Sequence, residues 1–308
     1  MIRSIVVPLD GSRFAETAIG VAARLARAAG AKLSLLLVHE PVMAMVPAAD
    51  IPVSAGPDDL EVRAQQQTYL ADAASRLGTV GSAPVGYAVV DGLAGPTLAD
   101  WIEKHQPDLV VMATHGRGPL SRFWLGSVAD HLIRHVTVPM LMIRPQDGDA
   151  IPVVDYRLSA AIVPVDLSEE SAAILESLKD FAVAMDTHIT LMHVLEPVLG
   201  ISGAVPPYPV PVPQDVLEST RVQAQKQLDE MADTLRASGI RVATKVFVGL
   251  GVAGSVLHEV NEGKADFVAM TTHGAGGFRR LMLGSVADKV IRASTKPVLV
   301  LRPRGMTA

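Results

Sequence analysis

The chain repeats itself, and this duplication constrains its fold more than any other feature of the sequence. Residues 109–145 and 267–303 share 20 of 37 positions without a gap, at a separation of 158 residues. This separation is far longer than the roughly 20–50 residues of a solenoid repeat. The sequence therefore predicts two copies of one domain, at residues 1–146 and 158–308, joined by a short segment rich in Asp, Gly and Pro.

Within each copy, short runs of Val, Ile and Leu alternate with segments of helical periodicity. In the first copy the predicted strands are residues 2–9, 32–39, 85–90, 108–114 and 140–144. The predicted helices run from a Ser12 cap to Gly30, over 58–77, from a first position at Pro96, and over 127–136. The alternation predicts an α/β fold with two tandem, doubly wound, parallel five-stranded sheets of Rossmann-like type. Ligands of such sheets bind beyond the carboxyl ends of the strands.

Composition narrows the class of protein. The formal net charge of −5 favours neither a nucleic acid nor an anionic membrane as a partner. The chain contains no cysteine, which excludes disulfides, thiolate metal sites and a cysteine nucleophile. No apolar run approaches the roughly 18 residues of a membrane helix, and the first residues do not resemble a secretory signal. We expect a soluble cytoplasmic protein that binds neither nucleic acid nor membrane.

A carboxylate follows the first strand of each copy, at Asp10 and Asp166. Such a group can accept hydrogen bonds from a ribose or a base, or help to hold a metal ion. An equally weighted alternative is structural: the aspartate opens the turn, and Ser12 or Ser168 caps the following helix.

Glycine-bearing turns follow the fourth strand of each copy, at 114–118 and 272–277. Nine residues separate Gly116 and Gly274 from a Gly-Ser pair that opens a helix. Glycine lets several backbone N–H groups point at one anion, and a helix start adds unpaired N–H groups and a partial positive charge. The pattern predicts a phosphate site in each copy.

The alternative to a phosphate site is a pair of capping boxes, formed by Ser127 with Asp130 and by Ser285 with Asp288. Capping would explain the Ser and the Asp but not the glycines before them. Other phosphate loops are excluded, because no GxxxxGK[ST] follows the first strand and no GxGxxG opens the first helix.

Each half resembles a universal stress protein domain of the ATP-binding type, whose signature is G-x-x-G, nine residues, then G-[ST]. The matching segments are 113–116 followed by 126–127, and 271–274 followed by 284–285. The resemblance covers essentially the whole chain as a tandem pair, and it implies an adenine nucleotide alpha hydrolase-like fold.

The resemblance also implies a set of nucleotide contacts. Asp10 and Asp166, with the backbone of Val38 and Val194, would meet ribose and adenine, and the glycine turns with the serines would hold the phosphates. The residues implied in the first copy are Pro8, Asp10, Val38, Met112, His115, Gly116, Arg117, Gly118, Gly126, Ser127 and Val128. Those implied in the second copy are Pro164, Asp166, Val194, Met270, His273, Gly274, Gly276, Gly284, Ser285 and Val286.

The implied ligand is ATP, or ADP or AMP, with Mg²⁺ as a further candidate. The leading hypothesis is a nucleotide-dependent regulator of the stress response that acts on an unknown protein partner. A slow Mg-dependent ATPase is the second hypothesis; no general base is identifiable, so no catalytic residue is assigned. The third is a nucleotide-free dimeric scaffold. The resemblance implies that the two final strands pair in an intramolecular pseudo-dimer, and a homodimer would add a second such interface.

The second copy departs from the signature more than the first. Thr271 and Ala113 stand where the first motif glycine is expected, Leu167 follows Asp166 where Gly11 follows Asp10, and Ala275 replaces Arg117. A β-branched residue is a poor substitute wherever φ is positive. We therefore expect the first copy to bind nucleotide at least as tightly as the second.

Histidines raise the question of a metal site. His131 and His135 lie four residues apart on a predicted helix, but the sequence offers neither an HExxH glutamate nor a third ligand. No metal site is predicted, and a solvated helix end is the preferred interpretation.

Overall fold

The protein is described by a computed structural model that covers residues 1–41, 57–114, 125–144, 157–196, 200–201, 209–210, 213–249, 251–273 and 283–303. The chain divides into two compact units, unit 1 (Met1–Asp155) and unit 2 (Tyr156–Ala308).

Unit 1 is built on a five-stranded parallel sheet. Its strands are β1 (Ser4–Leu9), β2 (Lys32–His39), β3 (Thr79–Val80), β4 (Ala83–Pro84), β5 (Gly86–Asp91), β6 (Leu109–Ala113) and β7 (Met140–Ile143). Its helices are α1 (Arg13–Ala29), α2 (Pro57–Leu77), α3 (Ala94–His105) and α4 (Ser127–His135). The sheet order is β7-β6-β1-β2-β5, and β3 and β4 form a separate antiparallel pair.

Unit 2 repeats this plan. Its strands are β8 (Ala160–Pro164), β9 (His188–Leu195), β10 (Gly200–Ile201), β11 (Pro209–Val210), β12 (Val242–Val248), β13 (Phe267–Thr271) and β14 (Val298–Leu301). Its helices are α5 (Glu169–Met185), α6 (Gln214–Arg236), α7 (Val252–Asn261) and α8 (Ser285–Ala293). The parallel sheet has the order β14-β13-β8-β9-β12, which matches unit 1 strand for strand.

The local sequence explains these elements. Every residue of β6 and β7 is buried, as expected for parallel strands covered on both faces. The Ser12 side chain caps α1 by accepting a hydrogen bond from the Ala15 amide at 3.1 Å, and Gly30 ends that helix with φ 65°. The predicted fold class, two tandem parallel α/β sheets, is confirmed.

Several predicted boundaries were wrong by a few residues. α3 begins at Ala94, so Pro96 is its third residue rather than its first. β1 begins at Ser4 and β5 at Gly86, each later than predicted. The short β3–β4 pair was not predicted, because two-residue strands carry no periodicity.

The winding of each sheet reverses beside its first strand. In unit 1 the chain passes from β1 through β2 to the β5 edge, then returns to place β6 on the other side of β1. Right-handed crossovers put the helices of the two directions on opposite faces, and α3 and α4 pack together. The crevice where ligands bind in such sheets therefore lies beyond the carboxyl ends of β1 and β6.

A carboxylate secures the amino end of that same strand pair. Asp108 Oδ2 accepts hydrogen bonds from the amides of Arg3 and Ser4, both at 2.9 Å. Asp266 does the same in unit 2 with Ser159 and Ala160, both at 3.0 Å. Each aspartate thereby fixes the position of the first strand of its unit relative to its neighbour, β1 against β6 and β8 against β13. The carboxyl ends of the same strands border the crevice, so their relative position is fixed as well.

Candidate functional site

A cavity of about 540 Å³ opens at the carboxyl edge of the unit 1 sheet. It lies between the ends of β1, β2 and β6 and the start of α4. The predicted site residues that border it are Pro8, Asp10, Val38, Met112, Gly126, Ser127 and Val128. His115, Gly116, Arg117 and Gly118 lie outside the described residues, so their part in the site stays a prediction.

The corresponding cavity of unit 2 is smaller, at about 300 Å³. The predicted residues that border it are Pro164, Asp166, Val194, Met270, His273, Gly284, Ser285 and Val286. Gly274 and Gly276 lie outside the described residues. In each unit, the predicted residues that the structure describes thus meet at one cavity.

The turn after the first strand has the structural role considered for it, and its aspartate also borders the cavity. Asp10 Oδ1 accepts a hydrogen bond from the Ser12 amide at 2.9 Å, and Asp10 also borders the cavity. In unit 2, Asp166 Oδ1 accepts from the Ser168 amide at 3.1 Å. Each aspartate therefore shapes its turn while its carboxylate stays at the cavity wall.

The residue after each aspartate has a left-handed backbone. Gly11 has φ 80° and Leu167 has φ 65°, so the two turns take the same form despite the different residue. Glycine adopts this region without cost, whereas a leucine is strained in it.

The start of α4 is not a capping box, so that alternative was wrong. Gly126 is the N-cap residue, and it offers no side chain to bond the helix. Ser127 is the first helical residue, and the Asp130 carboxylate pairs with Arg134, its Oδ1 lying 2.8 Å from Arg134 Nη2. The Asp130 amide is the first to bond within the helix, to the Gly126 carbonyl at 2.9 Å. The amides of residues 127–129 consequently have no acceptor inside the helix.

Unit 2 builds its helix start in the same way. Gly284 is the N-cap residue of α8, without a side-chain cap, and Asp288 Oδ1 accepts from Arg292 Nε at 2.7 Å. A Cβ added at Gly284 would lie 2.7 Å from the Thr272 carbonyl oxygen. The close approach of two backbone segments, rather than a positive φ, requires glycine at this position.

The β-branched side chain of Thr271, at the place of the first motif glycine, does not strain the backbone as the sequence suggested. It is the last residue of β13 and is not among the residues with positive φ, so a β-branched side chain fits its extended backbone. Its hydroxyl donates to the His273 carbonyl at 2.6 Å. His273 is therefore held by the strand end that precedes it.

The peptide groups of Val38 point past the end of β1. The Gly92 amide donates to the His39 carbonyl at 2.9 Å, which directs the polar groups of His39 toward β5. Successive residues of a parallel strand alternate in direction, so those of Val38 turn toward β1. The β1–β2 pairing ends at Leu9 opposite Leu37, one residue before Val38. The Val38 backbone thus borders the cavity at the place where its neighbouring strand stops.

Several residues that border the unit 1 cavity were not predicted. They include His39, Glu40, Asp59, Val62, Gln66, Ala94 and Leu98. Glu40 Oε1 accepts from the Ala94 amide at 2.8 Å, and Glu196 Oε1 accepts from the Val252 amide at 3.2 Å in unit 2. The Glu-Pro pair that recurs after the second strand of each copy could have indicated this cap of the third helix.

Two ionisable groups that contact or belong to α2 have shifted pKa values. The hydrogen bond from Arg63 to Asp91, at 2.8 Å, lowers the pKa of the Asp91 carboxyl. Burial, followed by the neighbouring Glu16 and Asp10 carboxylates, raises the pKa of the Tyr69 phenol, which stays neutral at physiological pH.

Neither a cluster of metal-binding side chains nor a membrane-crossing helix occurs among the residues that the structure describes. Within them, no three side chains of the metal-binding types lie close enough together to hold an ion. His131 and His135 stack on one another with ring centroids 4.0 Å apart. In the same part of the chain, no helix combines the length and the apolar character that a membrane crossing requires.

A duplicated parallel α/β unit with its cavity at the winding reversal places the chain in the Rossmann-like, adenine nucleotide alpha hydrolase-like class of folds. Family comparison narrows this class. The universal stress protein family matches residues 1–144 and again 160–302, and the chain belongs to that family as a tandem member.

Relatives of the full tandem length are known. A universal stress protein of Mycolicibacterium smegmatis is 27% identical over 305 residues, which covers 97% of each chain. One from Mycobacterium tuberculosis is 26% identical over 318 residues, covering 97% of this chain and 94% of the relative. The crystal structure of a universal stress protein from Archaeoglobus fulgidus matches with a TM-score of 0.64 at 18% identity, covering 97% of this chain and 98% of that one. The last match shows a common fold.

Proposed function

We propose that each unit binds an adenine nucleotide and that the protein acts as a nucleotide-dependent regulator in the stress response. One observation carries this proposal: an uncapped helix start, a turn carboxylate and the backbone of a strand end border a single cavity in each unit. These are the groups needed for phosphate, ribose and base respectively.

The phosphates are proposed to lie at the start of α4. The amides of residues 127–129 have no acceptor within the helix, and the helix dipole favours an anion there. One such dipolar contact contributes only about 0.3–2 kcal/mol, so several donors must act on the same phosphate group. The predicted glycine turn at 114–118 would supply the others.

The ribose and the base are proposed to lie along the ends of β1 and β2. Asp10 can accept a hydrogen bond from a ribose hydroxyl. The N–H and C=O of Val38 match the acceptor and donor pair on one edge of adenine. Asp166 and Val194 take the same places in unit 2.

Unit 1 is proposed to bind nucleotide at least as tightly as unit 2. Its cavity is larger, at about 540 Å³ against about 300 Å³. The strained Leu167 in unit 2 replaces the relaxed Gly11 of unit 1. Both differences favour unit 1.

The first test is identification of any ligand that the purified protein retains. Denaturation followed by mass spectrometry is expected to release ATP, ADP or AMP. Calorimetric titration of ligand-free protein with ATP is expected to show two sites, and repetition with EDTA measures the contribution of Mg²⁺. Gly126→Asp and Gly284→Asp are each expected to remove one site, with the larger loss of affinity from Gly126→Asp.

The proposal fails if no nucleotide is released and millimolar ATP shifts neither the heat signal nor the melting temperature. The regulatory part needs a separate measurement, hydrogen exchange with and without ATP. A change in exchange beyond the cavity walls supports a switch, whereas protection confined to the walls supports binding alone. Sedimentation in the same buffers tests whether the protein also forms a homodimer.

A further inference from the structure

One peptide group of unit 2, the one that joins Val165 to Asp166, is held at both of its polar ends by side chains. His193 Nδ1 lies 2.8 Å from the Val165 carbonyl oxygen, and a carbonyl oxygen can only accept, so Nδ1 carries the hydrogen. The Asp166 amide donates to Ser171 Oγ at 3.3 Å. His193 and Ser171 are together called the turn clamp below, because this peptide opens the turn that carries Asp166.

Both members of the turn clamp border the unit 2 cavity, as Asp166 does. Ser171 is buried, and its hydroxyl donates to the Ser168 carbonyl at 3.0 Å while it accepts from the Asp166 amide. His193 is half-buried and lies on β9, whose neighbour β8 ends at Pro164. The turn clamp therefore connects α5 and β9 to the first residues after β8.

The strand register identifies the unit 1 residue that corresponds to His193. Leu36 and Met192 each lie opposite the proline of the first strand of their unit. The residues that follow them, Leu37 and His193, therefore occupy the same place on the second strand of each unit.

The caps of the first helices identify the residue that corresponds to Ser171. The Ser12 hydroxyl accepts from the Ala15 amide, and the Ser168 hydroxyl accepts from the Ser171 amide, both at 3.1 Å. Ala15 therefore matches Ser171. Leu37 and Ala15 border the unit 1 cavity, but neither side chain has a hydrogen-bonding group. Unit 1 consequently cannot form the turn clamp at these positions.

The turn clamp accompanies a strained backbone. Leu167, which directly follows Asp166, has φ 65°, whereas Gly11 takes the same place in unit 1 with φ 80°. A residue with a Cβ is strained in this region, and such strain persists only where the surrounding structure holds the backbone in place. Relaxation of Leu167 would turn the neighbouring peptide groups, and the clamp holds the one that leads into Asp166. Unit 1, with a glycine in the turn, has neither the strain nor the clamp.

We propose that His193 and Ser171 are positioning residues, which keep the Asp166 carboxylate in place for the ribose of the nucleotide in unit 2. The inference rests on the proposed nucleotide binding and names the residues that maintain one of its contacts. Ordering a group when the ligand binds costs free energy, so an acceptor that is already held in position binds more tightly. In unit 1 the turn takes the same form without this help, because glycine adopts it without strain.

The test compares ATP with 2′,3′-dideoxy-ATP, which lacks both ribose hydroxyls and keeps the base and the triphosphate. Calorimetry on the full chain with Gly126→Asp, which is expected to remove the unit 1 site, reports on unit 2. This background is expected to prefer ATP by about tenfold or more, because a site built to hydrogen-bond a hydroxyl rejects an analogue that lacks it. Adding His193→Leu, which copies Leu37, is expected to weaken ATP binding by about fivefold to tenfold and binding of the analogue by less than about twofold.

A conservative variant and a matched control complete the comparison at His193. His193→Asn keeps a side-chain N–H donor close to the place of Nδ1, and is expected to keep the preference for ATP within about threefold of that of the background. His188→Leu makes the same change as His193→Leu at the first residue of β9, which does not border the cavity. It is expected to leave the preference unchanged.

Two further variants test the clamp independently of His193→Leu alone. Ser171→Ala, which copies Ala15, releases the other end of the peptide and is expected to reduce the preference for ATP even if His193→Leu folds poorly. Leu167→Gly combined with Ser171→Ala and His193→Leu gives unit 2 the three residues of unit 1. This combination is expected to recover a preference within about threefold of that of the background, because the glycine removes the strain that the clamp opposes.

The outcomes separate the two proposals. Equal binding of ATP and the analogue by the background overturns the positioning role and leaves nucleotide binding standing. The same conclusion follows if the preference is unchanged in folded His193→Leu and Ser171→Ala, or if these variants weaken both nucleotides equally. Failure of unit 2 in the folded wild type to bind ATP overturns the proposed function of that unit itself.

Discussion

The amide nitrogen of Gly126 lies 2.9 Å from the carbonyl oxygen of Thr114, and this hydrogen bond ties the start of α4 to the end of β6. Gly284 and Thr272 repeat it at 2.9 Å in unit 2. Because the bond occupies the glycine N–H, a phosphate would meet the amides of residues 127–129 instead. The glycine positions the donors without being one of them.

Gly284→Ala is expected to disrupt the start of α8. The added Cβ would lie 2.7 Å from the Thr272 carbonyl oxygen, and a backbone atom cannot move aside as the end of a side chain can. Overpacking of this kind costs typically about 1–3 kcal/mol. We expect a lower melting temperature and about tenfold or more weaker ATP binding at unit 2, measured by thermal unfolding and calorimetry.

Gly254→Ala is the matched control for that substitution. Gly254 lies inside α7, where an added Cβ meets nothing within 4 Å. Alanine should stabilise the helix by about 0.5–1 kcal/mol and leave both sites intact. If Gly284→Ala leaves the ATP affinity of unit 2 unchanged, the close contact between Gly284 and the Thr272 carbonyl does not determine the geometry of the site.

Replacement of two helix-start serines by alanine is expected to affect different properties, the stability of the fold at Ser12 and the binding of ATP at Ser127. Ser12 caps α1, with its hydroxyl 3.1 Å from the Ala15 amide, so Ser12→Ala should cost about 1 kcal/mol of stability. Ser127 is the first residue of α4 and not its cap, so Ser127→Ala should change stability by less than about 0.5 kcal/mol while weakening ATP binding. Urea unfolding and calorimetry on both variants measure the two effects. A stability loss in Ser127→Ala equal to that in Ser12→Ala would restore the capping-box interpretation.

The regular spacing of apolar residues made the fold predictable from the sequence. β2 was predicted over residues 32–39 and found as Lys32–His39, because its apolar run is bounded by Gly30 and by Glu40-Pro41. The predicted residues that border the two cavities follow strand ends and helix starts, positions that a parallel sheet brings to one edge.

The parts of the candidate site that could not be predicted depend on contacts between segments that are distant in the sequence. Asp59 and Gln66 look like ordinary polar residues of a surface helix, and only the packing of α2 beside β2 brings them to His39. The N-cap role of Gly126 likewise depends on its bond to Thr114. The spacing of Ser127 and Asp130 suggested a capping box as the alternative to a phosphate site, and nothing in that spacing indicates the bond between Gly126 and Thr114.

Leu167→Gly is expected to stabilise unit 2. Leu167 has φ 65°, a left-handed conformation that costs a residue with a Cβ roughly 1–2 kcal/mol. Glycine removes this strain but loses more entropy on folding, so a net gain of about 0.5–1 kcal/mol is expected. Thermal unfolding measures it, and Val183→Gly is the control: in the last turn of α5, where the backbone is ordinary helix, the same change to glycine should destabilise by about 0.3–0.5 kcal/mol. A loss of stability in Leu167→Gly would mean that contacts of the leucine side chain outweigh the strain.

A buried carboxylate should make unit 2 sensitive to acid. Burial raises the pKa of Glu259, but hydrogen bonds from Lys245 at 2.9 Å and Lys264 at 3.0 Å outweigh it, and the net pKa is lowered below the ordinary 4.5. A lowered pKa in the folded state contributes stability that is present above the unfolded-state value and is lost as the pH falls through the folded-state value. Glu259→Gln should therefore cost about 1–3 kcal/mol at neutral pH and flatten the decline of stability below pH 4.5, as followed by urea unfolding across the acid range. Glu262 is exposed, so Glu262→Gln is the control and should leave the decline in the free energy of unfolding unchanged. If this decline is as steep in Glu259→Gln as in the wild type, other carboxylates govern the acid unfolding of unit 2.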